Sequence, residues 1–164
     1  MDATTALLIV DVQNGFVNDH TNHIPPLIEQ LQSQDIYRAI CATQFHNGSH
    51  SPFVNWLGWE GLMDKESSKL AFKPLSQTLI VSKNGYYSAT AEVLSFFDKH
   101  KIKKVHICGI DTNMCVFVTA AGLFEQGVYE PFVLSKYCAS HSGKEYHDAG
   151  LMLLGKAIGK HHIL

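Results

Sequence analysis

The chain has 164 residues, the size of one domain with room for a substantial hydrophobic core. Hydrophobic residues make up 46% of the chain and charged residues 17%, a balance typical of a soluble globular protein. The formal net charge of −2 provides no basic surface, which excludes nucleic acid and an anionic membrane as expected partners.

The N-terminal run and the cysteines both favour the cytoplasm. The apolar run from Ala6 to Val10 is too short for a membrane span or a signal sequence, and no basic segment precedes it. No two cysteines form a CxxC pair, which argues against a disulfide framework and against a zinc site. Free thiols of this kind are typical of a reducing compartment.

Apolar runs alternate with helix-like segments along the chain. Five continuous apolar runs are predicted to be strands covered on both faces: Ala6–Val12, Ile36–Thr43, Thr78–Ser82, Lys104–Ile110 and Pro131–Ser135. Three segments have helical spacing: Ala89–His100, Met114–Gln126 and Ser142–Ile158. The alternation predicts a single α/β domain over residues 1–164, a three-layer, doubly wound, mainly parallel sheet of Rossmann-like type.

Two segments have further predicted features. Met114–Gln126 is apolar nearly all round and stops at Gly127, so we expect a central, buried helix. The stretch from His46 to Gln77 is long and irregular, as the walls of binding sites and interfaces often are.

Three reactive side chains follow predicted strands. Asp11 closes the first, Lys83 follows the third, and Cys115 lies just beyond the fourth. Taken singly, each has a plainer explanation: a turn aspartate, a solvated lysine and a core cysteine. Ligands of open parallel sheets bind at the carboxyl ends of the strands, so the three together predict a site at that edge.

Cys115 is the predicted nucleophile of this site. It falls in the first turn of the predicted helix, with Thr112 placed to cap it, where free N–H groups and the helix dipole favour a thiolate. The same N–H groups could hold the oxyanion of a tetrahedral intermediate. Asp11 could remove the thiol proton and Lys83 could orient that carboxylate, which completes a nucleophile, a base and an orienting group.

The motifs around these residues resemble those of the isochorismatase-like cysteine hydrolases. The family's D-x-Q-x-x-F segment is similar to Asp11–Phe16, its Lys ahead of Y-S-A to Lys83, and its G-x-x-T-x-x-C-V segment to Gly109–Val116. The resemblance extends from Leu7 to about Ser140. It implies the catalytic residues Asp11, Lys83 and Cys115, a cis peptide bond between Ile110 and Asp111, and an oxyanion hole formed by the N–H groups of Asp111 and Cys115.

The resemblance is to metal-free members of the family. Its nicotinamidases bind a metal through a D-x-H segment after the second strand, and here the matching residues are Gln44, Phe45 and His46. His46 with His50, and no carboxylate, would make a poor metal site, so we predict neither a metal nor another cofactor. His46 is more readily explained as a residue that lines a pocket or forms a hydrogen bond.

Several residues are candidates for contact with a small-molecule substrate, although each of the aromatic ones could equally belong to the core. They are Gln13, Phe16, Phe45, Trp59 and Tyr87. Trp56 and Trp59 look exposed in the irregular segment. Together with the family resemblance, they predict a homo-oligomer, either a dimer or a tetramer.

The functional hypothesis is hydrolysis of a small amide, imide or related C–N bond through a thioester at Cys115. Asp11 would act as the base and Lys83 would stabilise charge. The alternative is a non-catalytic module on the same fold that binds a small molecule or a protein. A nucleotide-binding domain is weakly supported because neither a GxGxxG segment nor a P-loop is present.

Overall fold

A computed structural model describes residues 2–164, which form one parallel β-sheet with flanking helices. The strand order is β3-β2-β1-β4-β5, and every neighbouring pair is parallel. The strands are β1 (Asp2–Val10), β2 (Tyr37–Phe45), β3 (Leu79–Lys83), β4 (Lys104–Ile110) and β5 (Glu130–Ala139). The predicted three-layer, doubly wound α/β fold is confirmed.

Five α-helices accompany the strands in the described chain. They are α1 (Ile24–Gln32), α2 (Pro52–Asn55), α3 (Ala91–Lys99), α4 (Phe117–Gln126) and α5 (Lys144–Leu154). Helix α1 was not predicted from the sequence; its Pro25 and Pro26 occupy its first positions, where a missing N–H group costs no hydrogen bond. No helix of residues 2–164 is long and apolar enough to cross a membrane.

The central position of β1 in the sheet explains why its sequence is continuously apolar. It pairs with β2 on one side and β4 on the other, and Ala6 through Val10 are completely buried. Side chains on both faces of such a strand are shielded from water, so no polar alternation remains. The chain winds outward from β1 in both directions, which creates a crevice between the carboxyl ends of β1 and β4.

Helix α4 differs from its prediction. Only Thr119, Ala120 and Leu123 are buried along it, whereas Phe124 is 47% exposed. The expectation of a helix buried all round is therefore wrong, because one face packs inward and apolar residues continue onto the other. The helix does end as predicted, at a left-handed Gly127 with φ 64°.

A glycine allows β1 and β4 to approach at the crevice. Gly109 of β4 has φ +125°, and a Cβ atom there would lie 2.0 Å from the backbone oxygen of Val10. Only glycine fits such a close approach at that backbone angle. The turns that follow Val10 and Ile110 are thereby held side by side.

Candidate active site

A buried ion pair connects the ends of β1 and β3. The ammonium nitrogen of Lys83 lies 2.7 Å from Oδ2 of Asp11, and the two side chains are 2% and 0% exposed. The same nitrogen donates hydrogen bonds to the carbonyl oxygens of Gly85 at 2.7 Å and Tyr86 at 3.1 Å. Two of the three N–H donors of Lys83 are therefore used by backbone carbonyl oxygens, while its charge lies beside Asp11.

The carboxylate of Asp11 has a second partner that was not predicted from the sequence. The hydroxyl of Thr43, near the end of β2, donates to Oδ1 of Asp11 at 2.7 Å. Oδ2 of Asp11 lies beside the ammonium and accepts no hydrogen bond of regular geometry from the described residues. That oxygen therefore retains accepting capacity for a proton. The sequence feature that could have indicated this contact is a hydroxyl residue near the end of β2, the strand next to β1.

Cys115 lies in a π-helical turn that joins β4 to α4. The turn comprises Thr112–Val116, and the N–H of Val116 donates to the carbonyl oxygen of Asp111 at 3.1 Å. The prediction that the Thr112 hydroxyl caps this turn is wrong. The hydroxyl instead lies 2.7 Å from Nδ1 of His147. The peptide bond between Ile110 and Asp111 is cis.

The environment of Cys115 keeps its sulfur protonated at rest. Burial raises the pKa of the thiol well above its ordinary value. The charge of Asp11 and a hydrogen bond with it raise the pKa further, whereas Lys83 lowers it. The prediction that the first turn of the helix favours a thiolate is therefore wrong for the resting site, because burial and the charge of Asp11 raise the pKa of the thiol. A nucleophilic thiolate has to be made when a substrate is present.

A second acidic group, Asp111, is held by His141. Oδ1 of Asp111 accepts the backbone N–H of His141 at 2.7 Å, and Oδ2 lies 2.5 Å from its ring nitrogen Nδ1. This hydrogen bond raises the pKa of the His141 imidazole, against the opposing effect of burial. His141 was not predicted as a site residue, because it comes after β5, far from Asp111 along the chain.

An aromatic cavity of ≈ 250 Å³ leads to Cys115. The rings of Phe16 and Trp59 are parallel within 4°, with centroids 6.1 Å apart. Phe53 meets the ring of Phe45 edge-on at 5.0 Å. The complete wall is formed by Phe16, Phe45, Phe53, Leu57, Trp59, Tyr86, Asp111, Met114, Cys115 and His141.

Three of the predicted substrate contacts, Phe16, Phe45 and Trp59, line this cavity. Trp59 is therefore not the exposed residue that the sequence suggested, whereas Trp56 is 82% exposed. The segment that we expected to form a wall does so, since it contributes Phe53, Leu57 and Trp59.

The other two predicted contacts, Gln13 and Tyr87, lie outside the cavity wall. Gln13 is completely buried, and its amide donates to the backbone oxygen of Phe45 at 2.9 Å and to that of Ser68 at 2.6 Å. Its role is to tie the irregular segment to β2. The Tyr87 hydroxyl instead accepts from Gln126 at 2.8 Å, and its neighbour Tyr86 faces the cavity.

The residues present do not fit a metal. The side-chain amide of Gln44 donates to the backbone oxygen of Ser68 at 2.7 Å. An amide that is already hydrogen-bonded therefore occupies the position where a metal site would need a carboxylate ligand. His46 and His50 are exposed. Within residues 2–164, no three histidine, cysteine, aspartate or glutamate side chains are grouped as metal ligands would be.

The chain is similar to known proteins over nearly all of its length. The isochorismatase domain family matches residues 5–160. Isochorismatase family protein 2A of Dictyostelium discoideum is 27% identical over 152 residues, which cover 89% of this chain and 72% of that protein.

Solved structures share the fold at lower identity. The isochorismatase-like hydrolase from Alkaliphilus metalliredigens superimposes with a TM-score of 0.79 at 21% identity, covering 94% of this chain and 92% of that one. A nicotinamidase from Bacillus subtilis gives a TM-score of 0.80 at 16% identity, covering 95% and 97%.

Proposed function

The chain belongs to the isochorismatase family, and from that premise we propose that it is a cysteine hydrolase of small amides, imides or related C–N bonds. The observation that carries the proposal is the buried ion pair of Asp11 and Lys83, 2.7 Å apart, next to the Cys115 thiol at the end of a cavity. The name of the nicotinamidase that shares the fold supports an amide as the substrate class.

The first step converts the resting thiol into a nucleophile. Asp11 accepts the proton of Cys115, and the sulfur attacks the carbonyl carbon of the amide. The carbonyl oxygen becomes an oxyanion, which the backbone N–H groups of Asp111 and Cys115 stabilise. Because the thiol pKa is raised well above its ordinary value, this transfer requires a bound carbonyl that consumes the thiolate as it forms.

The second step breaks the C–N bond. The proton held by Asp11 passes to the leaving nitrogen, so that a primary amide departs as ammonia and the acyl group remains on Cys115 as a thioester. Asp11 then takes a proton from water, and the resulting hydroxide attacks the thioester. Cleavage of the C–S bond returns the proton to sulfur, releases the carboxylic acid and restores the starting enzyme.

Lys83 acts through its charge and its fixed position. Two hydrogen bonds to backbone carbonyl oxygens hold the ammonium beside Asp11, so the carboxylate keeps its orientation and is ionised before each proton transfer. Thr43 fixes the other carboxylate oxygen. Neither side chain needs to move for the carboxylate to accept a proton from sulfur.

The alternative is a non-catalytic module that binds a small molecule or a protein on the same fold. The observation that favours it is the protonated thiol of Cys115, because an unactivated cysteine is a poor nucleophile. A binding module would keep its affinity for an amide without releasing ammonia.

Release of ammonia from a panel of small amides, ureides and imides tests the proposal. The wild-type protein is compared with Cys115→Ala and with Cys138→Ala, which removes another buried cysteine outside the cavity. We expect the wild type and Cys138→Ala to release ammonia from at least one substrate and Cys115→Ala to release none. Turnover by Cys115→Ala at the wild-type rate contradicts the proposal.

A further inference from the structure

His141 contributes the one basic side chain among the described residues that line the cavity. Most of the wall is aromatic or aliphatic, and Lys83 does not belong to it. The side chain of Lys83 is 2% exposed, lies beside Asp11 and donates to two backbone carbonyl oxygens. The imidazole of His141 is therefore the cation that a charged group of a substrate can reach within the cavity.

One side of the His141 ring is fixed by Asp111. Nδ1 of the ring lies 2.5 Å from Oδ2 of Asp111. The backbone N–H of His141 binds Oδ1 of the same carboxylate at 2.7 Å, so the turn after β5 is tied to Asp111 without the ring. Phe16 packs on the imidazole with ring centroids 5.5 Å apart. The contact between ring and carboxylate therefore does more than hold the turn, because it sets which nitrogen remains for another partner.

The second ring nitrogen of His141, Nε2, has no hydrogen-bond partner within residues 2–164. The His141 side chain is 36% exposed, whereas that of Asp111 is 8% exposed. The hydrogen bond to Asp111 raises the pKa of the imidazole, against the opposing effect of burial. With Nδ1–H engaged by Asp111, a proton on Nε2 makes the ring a cation with one N–H donor still unused.

Two neutral donors accompany this cation in the cavity wall. The indole N–H of Trp59 and the hydroxyl of Tyr86 have no hydrogen-bond partner in the described part of the chain. Either group can donate to the oxygen of an amide or of a carboxylate, but neither adds a positive charge. The preference of the cavity for a charged group therefore depends on His141.

Asp111 does not cancel the attraction of the His141 imidazolium for an anion. Its carboxylate lies on the Nδ1 side of the ring, whereas an acceptor bound to Nε2 lies on the opposite side. Because the Coulomb energy falls with distance, the adjacent imidazolium outweighs the more distant carboxylate. A group with one negative charge, such as a carboxylate, matches one imidazolium. A phosphate brings about two charges, and the second would be desolvated without a partner.

Resting on the proposed function, we propose that His141 is a specificity-determining residue whose Nε2 donates to a carboxylate of the amide substrate. Asp111 is the positioning residue that orients the ring and keeps it charged. The substrate is a small amide that bears a carboxylate, such as the half-amide of a dicarboxylic acid, with its carboxamide at Cys115 and its carboxylate at His141. The cavity volume of ≈ 250 Å³ limits it to a small molecule, since pockets for drug-sized ligands start at about 300 Å³.

Binding to a protein that cannot turn over tests this inference apart from the chemistry. Calorimetric titration of Cys115→Ala, and of Cys115→Ser should the first variant fold poorly, compares oxamate, malonamate, succinamate and glutaramate, each with its neutral diamide of the same length. At about pH 6, below the raised pKa of the imidazole, we expect at least one half-amide to bind about tenfold more tightly than its diamide. Adding His141→Gln should abolish this preference. Adding His50→Gln, at an exposed histidine outside the cavity wall, should leave it unchanged.

The pH dependence of the preference separates a charged contact from a merely structural one. The half-amide should bind less tightly as pH rises through the raised pKa of His141, because Nε2 then has no proton to donate, while the carboxylate stays ionised. The diamide should show no such loss. Asp111 is the charged group that acts on the imidazole, and Phe16, which packs on the ring, carries no charge. Asp111→Asn removes the cause of the raised pKa, so it should move the loss of affinity to lower pH.

The outcomes distinguish the two proposals. A preference for the half-amide that survives His141→Gln overturns the inference, and so does the failure of every half-amide to bind the correctly folded proteins. Hydrolysis by the wild type that favours the diamides over the half-amides overturns the inference and leaves the hydrolase supported. Binding of a half-amide that depends on His141, without ammonia release by the wild type, overturns the hydrolase and leaves the role of His141 supported.

Discussion

The thiol of Cys115 and the carboxylate of Asp11 are adjacent, and Asp11 raises the pKa of the thiol through its charge and a hydrogen bond. The same carboxylate that is positioned to remove the proton therefore holds that proton on sulfur while no substrate is bound. Base and nucleophile are therefore coupled. A variant that neutralises Asp11 should raise the fraction of Cys115 present as thiolate at rest and lower the rate of turnover.

Alkylation of Cys115 should become faster when Asp11 is neutralised. Asp11→Asn removes the charge that raises the thiol pKa and leaves the Lys83 charge that lowers it, so a larger fraction is thiolate at a given pH. Asparagine also tolerates the φ of 49° at this position. Iodoacetamide labelling followed by peptide mass spectrometry measures the rate, and ammonia release should be lost in the same variant.

The matched variant for that experiment is Lys83→Met, which removes the positive charge and should slow the alkylation of Cys115. Cys41, completely buried and with a raised pKa, serves as the internal reference because its pKa shift comes from burial alone. Slower labelling of Cys115 in Asp11→Asn would mean that Asp11 produces a thiolate at rest, and it would contradict a resting thiol that Asp11 keeps protonated.

The ion pair should matter to stability as well as to chemistry. Lys83→Met leaves the fully buried Asp11 without its cation, and removal of one member of a buried pair costs about 3–5 kcal/mol of unfolding free energy. The exposed pair of Lys144 and Asp148 gives the comparison, since Lys144→Met should change stability by less than about 1 kcal/mol. Urea denaturation measures both; equal losses would show that Asp11 is not isolated from solvent.

The stability contributed by His141 should depend on pH in a defined direction. Its folded-state pKa is raised, chiefly by the hydrogen bond to Asp111, above an ordinary value of about 6.5. The stabilisation is therefore fully present below about pH 6.5 and is lost as pH rises through the raised folded-state pKa. Urea midpoints of the wild type and His141→Gln should converge as pH increases through that window.

His147 provides a control of opposite sign for this series. Burial lowers the pKa of its imidazole, so the unfolded chain takes up the proton more readily than the folded one. Relative to His147→Gln, the wild type should therefore lose stability as pH falls below about 6.5. A difference between wild type and His141→Gln that stays constant with pH would rule out the charged pair with Asp111.

Gly109 should be intolerant of any side chain. The Cβ atom of Gly109→Ala would lie 2.0 Å from the backbone oxygen of Val10, at a φ of +125°. The β1–β4 pairing has to open to accommodate it, and we expect a loss of more than about 4 kcal/mol or no folded protein. Gly48→Ala is the control, with no atom within 4 Å of the added carbon. Thermal unfolding by circular dichroism measures both variants.

The sequence was sufficient to predict the sheet and to place Asp11, Lys83 and Cys115 at the carboxyl ends of its strands, because strands buried on both faces carry continuous apolar runs that end where the site begins. The approach of Lys83 to Asp11 was implied only by the family resemblance. The strand bounds differ from the prediction: β1 ends at Val10 instead of Val12, and β5 continues to Ala139 instead of ending at Ser135. The end of a strand is difficult to place from the sequence when the turn residues that follow it are also buried, as Asp11 and Val12 are.

Features that depend on packing between distant segments could not be predicted. The protonated state of Cys115 follows from burial and from the charges around it, neither of which the chain order contains. The selection of Tyr86 over Tyr87 for the cavity depends on an irregular turn after β3, where no periodicity applies. His141 meets Asp111 only because β5 lies beside β4 in the sheet.

The mass of the protein during turnover tests the proposed thioester most directly. The wild type is mixed with an amide that it hydrolyses, quenched in acid at short times, digested and analysed for the Cys115 peptide. We expect a peptide heavier by the acyl group, present while ammonia is released and absent from Cys115→Ala. Stoichiometric ammonia release with an unmodified Cys115 peptide at every time, together with wild-type turnover by Cys115→Ala, would contradict a covalent mechanism at Cys115.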